Sequence, residues 1–347
     1  MPMSPNTEAK LEHLFSLLAQ GYGVPSEKIV KGFSVTPSAE QRLQDAIVEK
    51  SEFLQLINVV TVSEMIGENV LAGASGPVSG RIDTSVDGAE RTPRDVLGLD
   101  KHTYGLHQTN SDVYIRYNTL DVWAKFKDFA ERYVRYVQER IASDRELVGW
   151  HGVSAAATTD LTANPLLQDV NKGWMQYMRE KRPANILTQG ALAPGEIRIG
   201  KDGDFLNLDH AVSDLLQGIP KYLRKNLMVL VGDELVSAEH AGLYKAIGGT
   251  PSEKVLATQS MSLMGGQPWM TPSNFPGRGL VVTPLNNLSI YVQEGSWRRK
   301  VEDAPKKDRI EDYNSRNEGY VVETPEQLVG LEFDNVKLPS ADGTAWE

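Results

Sequence analysis

The chain has 347 residues, 40% of them hydrophobic, and a formal net charge of −10. That length supports two or three cores. The acidic balance argues against sequence-independent clamping of nucleic acid, although an acidic wall beside DNA would keep it from sticking. Cysteine is absent, which excludes disulfides, thiol catalysis and zinc–thiolate sites and fits folding in a reducing cytoplasm. No apolar run approaches the ~18 residues that would span a membrane, and the N-terminus lacks the basic-then-apolar order of a secretory signal. The chain is expected to be soluble and to stay where it is made, or to leave by another route.

Residues 1–33 read as a separate unit. Leu11, Leu14, Phe15, Leu17 and Leu18 form an apolar stripe on a short helix stopped by Gly21 and Gly23. A loose, charged linker from Pro25 to Gly32 follows. Either this helix docks on the main domain, or it is a helper segment removed or refolded after use. Residues 34–60 read as an extended arm with one helix, begun by Pro37-Ser38 and faced by Leu43, Ile47, Phe53 and Leu54, and from Ile57 to Val62 the pattern becomes strand-like.

Residues 62–112 change character. Gly67, Gly73, Gly76, Gly80, Gly88, Gly98 and Gly105 recur among Ser, Thr and Asp with few large apolar side chains. Such a stretch cannot bury a core of its own. It reads as a long β-hairpin or flap, a partner-binding arm projecting from the domain.

The run from Asp112 to Gly152 carries the strongest pattern. Val113-Tyr114-Ile115-Arg116-Tyr117 is strand-like and passes into one long amphipathic helix from about Leu120 to about Trp150, roughly 45 Å at 1.5 Å per residue. Leu120, Trp123, Phe126, Ala130, Tyr133, Val137 and Ile141 recur at steps of three and four. Asp128–Arg132 and Glu131–Arg135 are acid-first pairs on the wet faces. One face should pack on a sheet, the others face water or a neighbouring subunit.

Residues 155–277 alternate helix and strand signals, as in an α+β or α/β subdomain around a central sheet. Helices are expected over Leu166–Met178, Asp209–Leu216 with Asp209 as a candidate cap, and Asp233–Lys245; a buried strand over Leu227–Val231; and a turn at Gly248-Gly249-Thr250-Pro251. Strands return at Leu280–Thr283, Leu288–Val292 and Gly319–Glu323, and the tail Pro339–Glu347 reads as polar and frayed.

None of the usual chemical constellations survives inspection. Asp83-Thr84-Ser85-Val86-Asp87-Gly88 matches the first half of a calcium loop, but position twelve is Arg94 instead of Glu. His102 and His107 lack a third local ligand. His151 falls at the end of the long helix, where it can interact with the negative end of the dipole. Gly265-Gly266-Gln267-Pro268 and Gly248-Gly249-Thr250 are too short for a phosphate loop, and neither a nucleophile elbow nor a His-Glu-x-x-His helix is present. The clusters Trp297-Arg298-Arg299-Lys300 and Lys306-Lys307-Asp308-Arg309 are interleaved with acids. They read as a solvated face or a salt-bridged subunit contact in preference to a nucleic-acid patch. No catalytic, cofactor-binding or metal residues are assigned. Projections without cores need partners to bury them, so the residues describe a self-assembling structural protein.

Several blocks give this a family. Tyr114-Ile115-Arg116-Tyr117 with Thr119-Leu120-Asp121-Val122-Trp123-Ala124 resembles the major capsid protein of peduovirus-type (P2-like) tailed bacteriophages. So do Val62-Ser63-Glu64-Met65, Asn164-Pro165-Leu166-Leu167-Gln168-Asp169-Val170 with Gly173-Trp174, Leu288-Ser289-Ile290-Tyr291, Arg298-Arg299 and Tyr320-Val321-Val322-Glu323. The resemblance runs from about Phe33 to Val329. It implies an α+β, HK97-type capsid fold: a scaffold-like segment over 1–33, an N-arm over 34–61 and an extended loop over 62–118. A peripheral domain with a spine helix would cover 119–184, an axial domain 185–277, returning peripheral strands 278–337 and a flexible tail 338–347.

On that resemblance Leu120, Trp123, Phe126, Tyr133 and Val137 lie on the spine helix and serve assembly. Cleavage by an internal maturation protease falls near Phe33 and Ser34. The partners it implies are the chain itself as pentamers and hexamers, an internal scaffold, a portal protein and non-specifically packaged double-stranded DNA. The implied location is the virion, assembled in the host bacterial cytoplasm. Some capsids of this fold cross-link lysine to asparagine between subunits; Lys101 is the only lysine between Ser51 and Ala124 and lies past the flap tip, so no covalent chain mail is expected. Two other readings stand beside this one: an encapsulin-like shell around a cargo enzyme, and an enzyme on the 185–277 core with the flap as a lid.

Overall fold

The computed structural model describes residues 5–22, 24–74, 81–83, 85, 97–123, 126, 128–247, 263–340 and 345–347. The flap tip, most of the half calcium loop with Arg94, and the turn at 248–251 lie outside the described residues.

Helix α1 (Pro5–Tyr22) buries Leu11, Leu14, Leu18, Ala19 and Tyr22, side chains that steps of three and four bring to one stripe. The stretch read as a loose linker is instead a short helix, α2 (Ser26–Lys31), with Ile29 buried. Gly32 then takes φ +82°, a left-handed angle that glycine adopts without steric cost. Strand β1 (Phe33–Ser34) follows it. Helix α3 (Pro37–Val48) starts at its proline, whose missing N–H costs nothing in the first turn, and β2 (Asn58–Val62) ends the arm.

Strands β3 (Ile66–Ala74) and β4 (Leu97–Gly105) pair antiparallel along their whole length, from Ile66 opposite Gly105 to Ala74 opposite Leu97. After β5 (His107–Asn110) and β6 (Val113–Arg116) comes the helical region, and here the single rod expected from the sequence is corrected. It consists of α4 (Tyr117–Trp123) and α5 (Phe129–His151). Asp128 lies between them outside helical geometry at φ −99°, ψ 25°. Its carboxylate accepts from the Arg132 guanidinium at 2.6 Å and its carbonyl from the Arg132 N–H at 3.1 Å. The acid-first pair therefore closes the start of a new helix, where an aspartate is favoured.

The helix expected over Leu166–Met178 begins only at Trp174, as α6 (Trp174–Lys181). Upstream of it Leu167 sits at φ +60° and the Gln168 carbonyl accepts the N–H groups of Val153 and Ser154. Strands β7 (Ile186–Leu187) and β8 (Ile197–Arg198) precede α7 (Leu208–Leu215). The cap of α7 is Asn207, whose Oδ1 accepts the His210 N–H at 2.9 Å, and not Asp209. The chain continues through β9 (Met228–Val231), α8 (Asp233–Ile247), β10 (Trp269–Met270) and β11 (Leu280–Thr283). It ends with β12 (Leu288–Gln293), β13 (Arg298–Ala304), β14 (Arg309–Val322), β15 (Val329–Leu331) and β16 (Val336–Lys337).

Two sheets organise these elements. In the larger, the 14-residue β14 is the spine, about 46 Å long at 3.3 Å per residue. One of its edges pairs with β13 and then β12, the other with β6 and then β5. β1 flanks β13, and β2 lies parallel to β12. The smaller sheet runs β10-β9-β11-β15-β7. Its core joins Val229, Val231, Leu280 and Val282 with Leu208, Val212 and Leu215 of α7. The last residues are held: Leu338 and Glu347 exchange two backbone hydrogen bonds at 3.1 and 2.9 Å, and the Arg198 guanidinium lies 5.6 Å from the Trp346 ring centroid.

Candidate functional site: the assembly surfaces

The β3–β4 hairpin forms a two-stranded sheet of its own. Its base is tied down at three points. The Tyr104 ring meets Tyr291 edge-on at 4.9 Å, Lys181 Nζ donates to Thr103 Oγ1 at 3.0 Å, and the N–H of buried Leu106 donates to the Met65 carbonyl at 2.8 Å. The Tyr291 hydroxyl donates in turn to the Glu323 carboxylate at 2.9 Å; burial, then the nearby Glu323 charge, push that hydroxyl's pKa up. Beside this rigid base Ile66 is 76% exposed, an apolar side chain without cover in one subunit.

Of the residues placed on the long helix, the structure buries Leu120 and Val137 in the core and packs Trp123 and Tyr133, both half-buried, against it. The Tyr133 hydroxyl donates to Asp312 Oδ2 at 3.0 Å, bonding α5 to β14. Phe126 behaves differently. Between α4 and α5, Phe126 is 47% exposed. Its ring lies 5.8 Å from Trp123, which meets the exposed Tyr136 edge-on at 6.4 Å. Phe126 is therefore part of a surface aromatic corner, and Phe129, which the periodicity passed over, is buried in its place.

Further along α5 the contact with β14 is ionic. Glu318 accepts from Arg145 Nε at 3.1 Å and from Arg316 Nε and Nη2 at 2.8 and 3.1 Å, with all three side chains at 2% exposure or less. Burial alone would raise the Glu318 pKa, but Arg316 and Arg145 hold it below the ordinary carboxylate range. Sequence reading missed this network because buried charges look like surface charges in a one-dimensional pattern. The available signal was the alternation in β14, where Asp312, Asn314, Arg316 and Glu318 point inward at steps of two.

Within the basic clusters Arg299, Lys300, Lys307 and Arg309 make contacts inside the chain, while Arg298 and Lys306 are exposed. Arg299 makes a two-pronged ion pair with Asp312 (2.9 and 2.5 Å), Lys300 pairs with Glu302 at 2.5 Å, and Lys307 with Glu311 at 3.0 Å. Hydrogen bonds from Tyr313, Lys307 and Arg309 hold Glu311 down at about 2. His151 is half-buried, and burial pushes its imidazole down against a hydrogen bond to Asn274. Burial therefore works against the cationic form that the negative end of the helix dipole would favour. Phe33 and Ser34 sit at the sheet edge, opposite Arg299 and Arg298, and the Val35 N–H donates to the Trp297 carbonyl at 2.9 Å.

A long helix laid along a sheet, a second sheet beyond it and a hairpin arm tied down at its base make the plan of an HK97-type capsid shell subunit. A chain of the satellite phage P4 procapsid that includes size determination (Sid) protein superposes with a TM-score of 0.69 at 35% identity, covering 86% of this chain and 99% of that one. A capsid chain of an empty GTA particle shares the fold at 17% identity, with a TM-score of 0.51 over 82% of this chain and 90% of that one. Residues 10–333 match the family described as phage major capsid protein, P2 family. The capsid protein of Escherichia phage P2 is 36% identical over 97% of this chain and 96% of its own length. The major capsid protein of Serratia phage KSP20 is 29% identical over 91% and 93%.

The chain belongs to the P2 family of phage major capsid proteins. It is a structural subunit of the icosahedral virion shell of a P2-like tailed phage and not an enzyme. The encapsulin and lidded-enzyme readings fall with that membership.

Proposed function

We propose that the β3–β4 hairpin is the extended loop that lies on a neighbouring subunit, with α4 and α5 as the spine helix. The larger sheet then forms the peripheral domain, and the smaller sheet the axial domain around the five- and six-fold centres. Residues 1–33 serve as a built-in scaffold, cut near Phe33 and Ser34 by an internal maturation protease. A separate scaffold, a portal and non-specifically packaged double-stranded DNA complete the set of partners. The observation that supports this most is the hairpin itself. Among the described residues, two nine-residue strands pair only with each other, and a two-stranded ribbon is marginal in water without something to lie on.

The test is N-terminal sequencing of protein from mature particles, read beside electron microscopy of the purified protein. A mature chain starting near Ser34 supports the cut. An intact Met1 or Pro2 sinks it, and the absence of closed shells sinks the assembly roles.

A further inference from the structure

Residues 5–32 cover a specific face of the shell fold. The apolar stripe of α1 lies on α5 and α3, and α2 lies on β13. Tyr22 reaches the point where Leu43 and Ile47 of α3, Val137 and Ile141 of α5, and Arg299 of β13 converge. Its ring is held on two sides, by Phe33 at 5.7 Å and by the Arg299 guanidinium 4.7 Å from the centroid. Arg299 also donates to the Tyr22 hydroxyl. The same guanidinium grips Asp312, which accepts from Tyr133 of α5. A continuous polar chain thus runs from α1 through β13 and β14 into α5, and Tyr22 and Arg299 are both buried. An apolar stripe alone would let a helix slide along its groove. A desolvated cation on a ring, with a hydroxyl in fixed register, does not.

The covalent link looks different. Lys31, Gly32 and Ser34 are exposed, and β1 is only two residues long. What holds the segment is spread over the buried face and not concentrated at residues 31–34.

We propose that the face formed by α3, α5 and β13 is a helix-binding groove whose ligand is residues 5–31 of the chain, keyed by Tyr22 on Arg299, and that it retains this segment when the chain is severed at the exposed junction. This deepens the scaffold-segment reading but does not depend on where, or whether, a maturation protease cuts. Severing and departure become separate events, and departure requires the groove to change shape or to be taken by a competitor.

The experiment uses the full chain with a site-specific protease sequence inserted between Lys31 and Gly32. After cleavage, gel filtration with mass spectrometry follows the severed segment in three versions: Tyr22 retained, Tyr22→Phe and Tyr22→Ala. With Tyr22 the segment is expected to co-elute with the body at equal stoichiometry. Tyr22→Phe keeps the ring contacts and retains the segment to a lower urea concentration. Tyr22→Ala releases it at least tenfold faster. Loss of the segment on the first column with Tyr22 in place would overturn the groove, because the unsubstituted body is folded when cut. Equal retention by all three versions would overturn the keying role of Tyr22. Neither result touches the N-terminal sequence of mature particles, so the two readings fail independently.

Discussion

Replacing Glu318 by glutamine should be among the most damaging single changes in this protein. Its carboxylate sits between two guanidiniums, Arg145 with a side-chain exposure of 0% and Arg316 with 1%. Arg145 Nη1 and Nη2 have no partner among the described residues, so Glu318 is the group that satisfies that side chain. Removing the negative charge leaves two buried cations facing each other. Breaking one buried pair in this way costs about 3–5 kcal/mol, a large share of the ~5–15 kcal/mol that holds a domain folded. Arg145→Met is the informative contrast. It takes away one cation and leaves the Arg316–Glu318 pair intact and neutral, and an apolar side chain of similar length fills the space; roughly 0–2 kcal/mol is expected. Urea titration of unassembled subunits, followed by fluorescence of buried Trp150 and Trp174, measures both. Equal losses in the two variants, or a Glu318→Gln loss below ~1 kcal/mol, would refute the reasoning. The pH dependence has a definite sign. Glu318 is held below its value in the unfolded chain, so its contribution is fully present above the ordinary glutamate value of about 4.3. It is lost as pH falls from there through the lower folded value. The Glu318→Gln variant should therefore differ most from the parent at neutral pH and converge on it in acid.

Three further outcomes follow from particular contacts. A Cβ on Gly149 would fall 2.2 Å from the Trp174 ring in the fully buried heart of the larger core. Gly149→Ala should thus cost about 1–3 kcal/mol as an overpacking change, read by the same titration; an unchanged midpoint would show that the helix contact yields. Glu40 is raised above its ordinary value, first by burial and further by the nearby Glu294. Glu40→Gln should accordingly raise the urea midpoint at pH 8 and lose that advantage as pH falls toward 4; a lowered midpoint at pH 8 contradicts the sign. Trp123→Asp should abolish shells of normal size, because it places a charge in the aromatic corner with Phe126 and Tyr136, and normal particles in the microscope would remove this corner from assembly.

How much of this was legible in the sequence depends on what each pattern measures. Period-3.6 stripes recovered α1, α3, α5 and α7, and the β-branched runs recovered β9, β11 and β12, because in those elements apolar side chains do the packing. The end of α4 at Trp123 escaped because Trp123 and Phe126 keep the spacing of a continuous stripe, although Phe126 is exposed and Asp128 lies outside helical geometry. Most of β14 escaped for a different reason. Its inward positions are Asp312, Asn314, Arg316 and Glu318, and a hydropathy pattern assigns such residues to the surface. The anchoring of the hairpin base by Tyr104 on Tyr291 joins residues 187 positions apart, which no local window sees.

The polar interior of β14 also explains how α5 is aimed. The helix is pinned to the strand twice, at Tyr133–Asp312 and at Arg145–Glu318. Twelve residues of helix between the pins rise about 18 Å, and six residues of strand span about 20 Å. The two lengths match only if helix and strand run nearly side by side and in the same direction. One apolar contact fixes a distance and leaves the crossing angle free; two directional contacts at this separation fix the angle as well. Because a one-residue slip in β14 would swing both carboxylates to the opposite face, the same pins hold the strand register. An apolar pair at these positions would hold the layers together at least as tightly and leave both angle and register less defined. In a shell built from repeated copies, an angular error within the subunit is carried into every contact it makes. Tyr133→Phe combined with Arg145→Met should therefore keep most of the folding stability yet broaden the size distribution of assembled particles, and particles of undiminished uniformity would show that the angle is set elsewhere.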